Sequence, residues 1–187
     1  MKDDSITLGK MIKKILGWYL AVDFMMLFIN LPFTAVVTST SADGNVTVPK
    51  TIPCVILGAF TLLIHLALTV GYMGPVGEKI RSPFNESPVD KWLALKAAGI
   101  VFALPFVFSA FTALNGAGAF MGLRFYEGMR FPHNVFYGPV FGFLLAFYQK
   151  SWLTPFFPPL IMVCVVEVSY WIILKGFKLP RIFYRQK

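Results

Sequence analysis

Three apolar stretches each carry one ionisable side chain with polar neighbours at helical spacing. In ILGWYLAVDFMMLFIN, residues 15–30, Asp23 is followed by Asn30 and then Thr34, which share one face at 3.6 residues per turn. In the second stretch Thr61, His65, Thr69 and Tyr72 again make one face, and in the last Cys164, Glu167, Tyr170 and Trp171 stand on one side. Asp23, His65 and Glu167 are thus expected near one level. Charge inside a bilayer costs at least ~2.5 kcal/mol per residue, so such groups turn towards a bundle interior or a wet cavity. Two chemistries follow. In one, Asp23 or Glu167 exchanges a proton or cation, Asn30 lies on the same face, and His65 tunes the exchange. In the other, each group is held by a hydroxyl or amide across a helix interface and serves as glue.

A second constellation lies in RFYEGMRFPHN, where Arg124, Glu127, Arg130 and His133 gather in one connection. The arginines suit a lipid headgroup or another anion, and Glu127 with His133 suits a base and its orienting partner. A solvated loop with weak interfacial ion pairs explains the same residues. The run Asn115-Gly116-Ala117-Gly118 follows an apolar helix and not a strand, and it lacks the P-loop lysine. Gly116, Gly118 and Gly122 are therefore expected as close helix packing or a helix end.

No serine nucleophile elbow, paired HExxH histidines or Walker lysine is present. Catalysis is not expected, and neither a metal site nor a cofactor is implied. The cysteines, Cys54 and Cys164, both lie in apolar stretches and suggest no disulfide framework.

The elements that must position these groups follow from composition. The 187 residues are 57% hydrophobic and 14% charged, too few charges to clothe a soluble domain. Four stretches, about 15–38, 52–74, 93–120 and 155–175, are each long enough to cross a bilayer. The expected fold is all-α: one transmembrane domain over 1–187, a polytopic four-helix bundle. The segment at about 134–149 is apolar but short, is broken by Gly138 and Pro139, and is followed by Lys150. It is expected as a re-entrant or interfacial element. Pro105 is expected to kink the third helix, with Ser109 helping to satisfy the freed carbonyls.

The basic residues cluster beside the apolar stretches, which favours a bilayer surface over nucleic acid. Lys2, Lys10, Lys13 and Lys14 flank the first span, Lys79, Arg81, Lys91 and Lys96 lie near the second connection, and Lys175, Lys178, Arg181, Arg185 and Lys187 close the chain. That bias predicts a multi-pass protein of the cytoplasmic membrane with both termini in the cytoplasm. The expected role is a non-catalytic subunit or accessory of a membrane-protein complex, with other membrane proteins or a second copy as partner. A small proton- or cation-coupled transporter using Asp23, His65 and Glu167 is the alternative, and a lipid-directed enzyme a minor one.

Overall fold

An apolar chain satisfies its backbone polar groups internally by forming helices, and the long apolar runs here do so. The computed structural model describes residues 6–40, 47–82, 89–118, 133, 137–147 and 151–176; at 27, 31, 33–40 and 47–49 the description covers the backbone alone. Helix α1 spans Leu8–Val37. The strands β1 (Thr38–Thr40) and β2 (Thr47–Pro49) follow, paired antiparallel with Ser39 opposite Val48. Helices α2 (Thr51–Ile80) and α3 (Leu93–Gly116) come next. A 3-10 turn, Gly138–Val140, opens the short helix α4, Phe141–Phe147. A second 3-10 turn, Thr154–Phe156, opens α5, Phe157–Leu174.

The expected all-α architecture is observed apart from the small β1–β2 ribbon, which stands where a polar loop would otherwise join α1 to α2. Thr51–Ile80, Leu93–Gly116 and Thr154–Leu174 are long and apolar enough to cross a membrane. Large apolar side chains, among them Phe24, Phe28, Leu63, Leu104 and Val107, lie on the outside of the bundle. So much exposed apolar surface suits lipid and not water. The chain has the build of a multi-pass membrane protein.

Element boundaries differ from the sequence reading where local chemistry permits extension. Helix α2 runs on through Pro75 to Ile80, and α1 begins at Leu8, a full turn and more before Ile15. Helix α3 stops earlier than expected. Gly118 adopts φ +87°, a left-handed conformation that glycine adopts without strain, and its N–H bonds Asn115 O in a helix-ending turn. In α5, Pro158 and Pro159 fall in the first turn, where a missing N–H leaves no helical bond unmade.

Helix α2 is central. Its buried stripe, from Cys54 and Gly58 through Thr61, His65 and Thr69 to Gly77, meets α4 in the first half and α5 in the second. Two close approaches set that packing. A Cβ on Gly142 would strike the backbone of Cys54 and Gly58, and one on Gly77 would strike Ile173. Helix α3 packs between α1 and α5, with Tyr19 edge-on to Phe102 and Trp92 edge-on to Trp171.

Among the described residues the two ends of the bundle differ in charge. Lys10, Lys13 and Lys14 at the start of α1, Lys79 and Arg81 at the end of α2, Lys91 and Lys96 at the start of α3, and Lys175 after α5 share one end. This basic end is tied together by polar contacts. Arg81 donates to Ile173 O at 2.8 Å, and Tyr170 donates its hydroxyl proton to Asp90 O at 2.8 Å. Asp90 itself accepts from Trp92 N and from the Lys96 ammonium, each at 2.9 Å. That ammonium, followed by the Trp92 N–H, holds the Asp90 carboxyl below its ordinary range.

Candidate functional site

The polar side chains of the bundle converge on one short piece of backbone. Residues 137–139 precede α4, and at such a break backbone groups lose their helical partners. Each of the three is tied to a different helix. Tyr137 reaches α3: its hydroxyl donates to Pro105 O at 3.0 Å and lies 3.0 Å from Ser109 Oγ. Gly138 is gripped by α1, with its N–H donating to Asp23 Oδ1 at 2.9 Å and its carbonyl accepting from Asn30 Nδ2 at 2.7 Å. Pro139 is held by α2, where Thr61 Oγ1 lies 2.9 Å from Pro139 O. The same hydroxyl is 2.9 Å from Leu57 O, so its single proton is shared between a local and a tertiary acceptor.

Glycine at 138 is a steric requirement. A Cβ there would come within 2.9 Å of Met26 Cβ and 3.2 Å of Asp23 O. The absence of a side chain lets α1 approach closely enough for two bonds to one residue.

Ser109 departs from its expected role. Its hydroxyl turns to two side chains, His133 Nε2 at 3.0 Å and the Tyr137 hydroxyl at 3.0 Å, and not to a backbone carbonyl. His133 is fully buried, packed against the rings of Phe108 and Tyr137. It is therefore no surface group of a solvated connection. Arg124, Glu127 and Arg130, expected beside it, lie outside the described residues, as does Gly122.

His65 is enclosed at 1% exposure on the buried face of α2, and neither ring nitrogen has a hydrogen-bond partner among the described residues. Its level follows from register. Trp18 Nε1 donates to Thr69 Oγ1 at 3.0 Å, and α1 and α2 run in opposite directions, so five residues on from Trp18 and five back from Thr69 place Asp23 level with Ile64 and His65. These two expected site residues share a level.

Glu167 does not share it. The Gly77–Ile173 contact aligns α2 with α5, and six residues back from each puts Glu167 beside Gly71. That is about 9 Å nearer the basic end than His65, at 1.5 Å per residue. Glu167 Oε1 accepts from Trp171 Nε1 at 2.7 Å, while Oε2 is buried without a partner among the described residues. Cys164, expected on the same side, is exposed whereas Tyr170 is buried, so the two belong to different faces.

Of the two roles expected for these glycines, Gly116 and Gly118 take the helix end and not the packing one. Gly116 closes α3, and a Cβ on Gly118 would meet nothing within 4 Å. Close approach occurs at Gly58, Gly77, Gly138 and Gly142 instead. Tyr137 and Gly138 join the site beyond the residues that the sequence singles out, with the Gly138-Pro139 break as the available signal, whereas Thr61 is legible from the polar face it shares with His65.

Beside α4 runs an apolar cavity of about 350 Å³, lined by Val140, Phe143, Leu144, Phe147, Phe157 and Ile161 among others. Among the described residues no group of three or more His, Cys, Asp or Glu could hold a metal ion. What the arrangement does chemically is to anchor backbone. No protein family, curated protein or solved structure matches the chain.

Proposed function

We propose that the protein is a non-catalytic subunit or accessory of a membrane-protein complex, built as four spans with α1 as the fourth crossing. In this reading both termini face the cytoplasm across the cell membrane. The clustering of lysine and arginine at one end of the bundle supports that orientation. The segment containing α4 is re-entrant. In support, α3 runs away from the basic end and α5 returns to it, with the start of α5 beside the middle of α3, where Phe106 packs near Phe156. The end of α4 is tied to that start by Thr154 Oγ1, which donates to Phe147 O at 3.0 Å.

The observation that carries the subunit reading is the grip of Asp23 and Asn30 on Gly138. Two of the polar groups that would serve a transport path, Asp23 and Asn30, are engaged in holding backbone, and α3 presents Ile100, Leu104 and Val107 to a neighbour of similar apolar character. Affinity purification from the native membrane in mild detergent, with the mass and stoichiometry of what accompanies the chain, tests it. A defined complex with larger membrane proteins is expected. Isolation alone or as a homo-oligomer overturns the accessory role.

One observation favours the transporter alternative. His65 is buried without a hydrogen-bond partner among the described residues, level with Asp23. Proton-linked flux in reconstituted vesicles that is lost in His65→Leu and in Glu167→Gln would establish that reading in place of the first. The lipid-directed enzyme finds less support, because His133 is buried and bonded to Ser109.

A further inference from the structure

At the basic end a small cavity of about 150 Å³ opens between the start of α1 and the end of α2. Its floor is apolar, formed by Met11, Pro75 and Val76, and its lining includes Lys10, Lys14 and Lys79. Two of these cations come from different helices yet approach closely enough that Lys14 and Lys79 repel each other. The Lys14 ammonium is held 4.7 Å above the ring of Tyr72, and Tyr72 is stacked on Trp18 with ring centroids 4.5 Å apart. Trp18 is fixed in turn by its bond to Thr69. Lys14 is thereby pre-positioned by a chain of contacts and does not trail as a free surface lysine.

We propose that this cavity binds the phosphate of an anionic phospholipid headgroup. Three features of the cavity select that ligand. Converging ammonium groups from two helices are stabilised by an anion that bridges them, and phosphate offers several acceptor oxygens for the purpose. The apolar floor suits the beginning of the glycerol and acyl portion, which free phosphate lacks. The Trp18–Tyr72 stack lies one turn along α1 from Lys14, and amphipathic rings of this kind mark the headgroup level of a bilayer. Basic pockets between helices on the cytoplasmic side are suited to such headgroups. The inference rests on the membrane reading of the basic end and does not require the subunit role.

The test uses the whole protein, purified in mild detergent and placed in phosphatidylcholine vesicles with or without phosphatidylglycerol. Retained lipid is identified by mass spectrometry, and inorganic phosphate is added as a competitor in a parallel arm. Preferential retention of phosphatidylglycerol is expected, falling roughly tenfold or more in Lys14→Gln/Lys79→Gln. It should be restored in Lys14→Arg/Lys79→Arg and unaffected by Lys91→Gln/Lys175→Gln. Equal retention by wild type and the glutamine variant overturns the site, and so does an equal loss in the Lys91/Lys175 control. Displacement of the lipid by millimolar inorganic phosphate overturns the headgroup as the source and makes this a free-phosphate site. Where the double variant does not fold, Lys79→Gln alone, at an exposed position, gives the same reading. Since no partner protein enters the assay, failure here is separate from failure of the subunit reading, which co-purification measures.

Discussion

Asp23 and Asn30 stand seven residues apart on α1 and close on the two sides of one peptide residue, the acid accepting from Gly138 N and the amide donating to Gly138 O. Two side chains on one helical face thus replace the bonds that a broken segment cannot make for itself. Asp23→Ala would leave a backbone N–H without its acceptor and is expected to lower stability by about 1–3 kcal/mol. Asp23→Asn keeps an acceptor oxygen and should lose less. Unfolding in detergent, followed by tryptophan fluorescence, checks the order. Equal losses in both variants would show that charge, and not the acceptor, is what matters at this position.

A second expectation concerns shape. Gly142→Ala would push a methyl group into the backbone of Cys54 and Gly58, where no flexible side chain can yield. A loss of about 1–3 kcal/mol is expected from overpacking. Gly99→Ala is the matched control, because a Cβ there meets nothing within 4 Å. It should be neutral or stabilise α3 by up to about 1 kcal/mol through helix propensity. Thermal midpoints for the pair should move apart.

Much of this was legible in the sequence, because the legible features are local. Apolar length gave the long helices, and periodicity put Asp23 with Asn30, and Thr61 with His65 and Thr69, on shared faces. The Gly138-Pro139 break marked the odd segment. What periodicity lacks is the partner across the interface. Gly77 fits against Ile173 nearly a hundred residues away, and nothing local distinguishes it from Gly99, which faces open space. The polar residues before His133 point to a surface connection, yet Ser109, Phe108 and Tyr137 pack against it. Counting along its own helix puts Glu167 near the level of Asp23 and His65, whereas that level is fixed by the register of α5 against α2. The two counts differ by the six residues, about 1.7 helical turns, that separate Gly71 from His65.

The connection at the basic end has its own pH dependence. Asp90 is held below its ordinary range by the Lys96 ammonium, so its folded value lies under its unfolded one. A depressed carboxyl contributes stability above the unfolded value, near pH ~4, and the contribution fades as pH falls below that. Both partners are exposed, which makes the effect small. Comparing wild type with Asp90→Asn isolates it from the other carboxyls. The two stabilities should converge as pH drops below about 4 and separate above it; a constant difference would mean that the Lys96 pairing contributes nothing.

His65 separates the two functional readings most sharply. Two buried ring nitrogens without partners among the described residues are a burden to the fold, since each unmet polar atom costs roughly 1–3 kcal/mol. If the bundle is a scaffold, His65→Leu removes that burden at similar volume, and the variant should be at least as stable as wild type and should still assemble with its partners. If the imidazole exchanges protons across the level it shares with Asp23, the same variant should fold and assemble yet carry no proton-linked flux. Measuring unfolding, co-purification and flux on this one variant tells the cases apart. A stabilised, fully assembling protein is the expected result under the subunit role, and a stable protein that has lost a measurable flux would replace it.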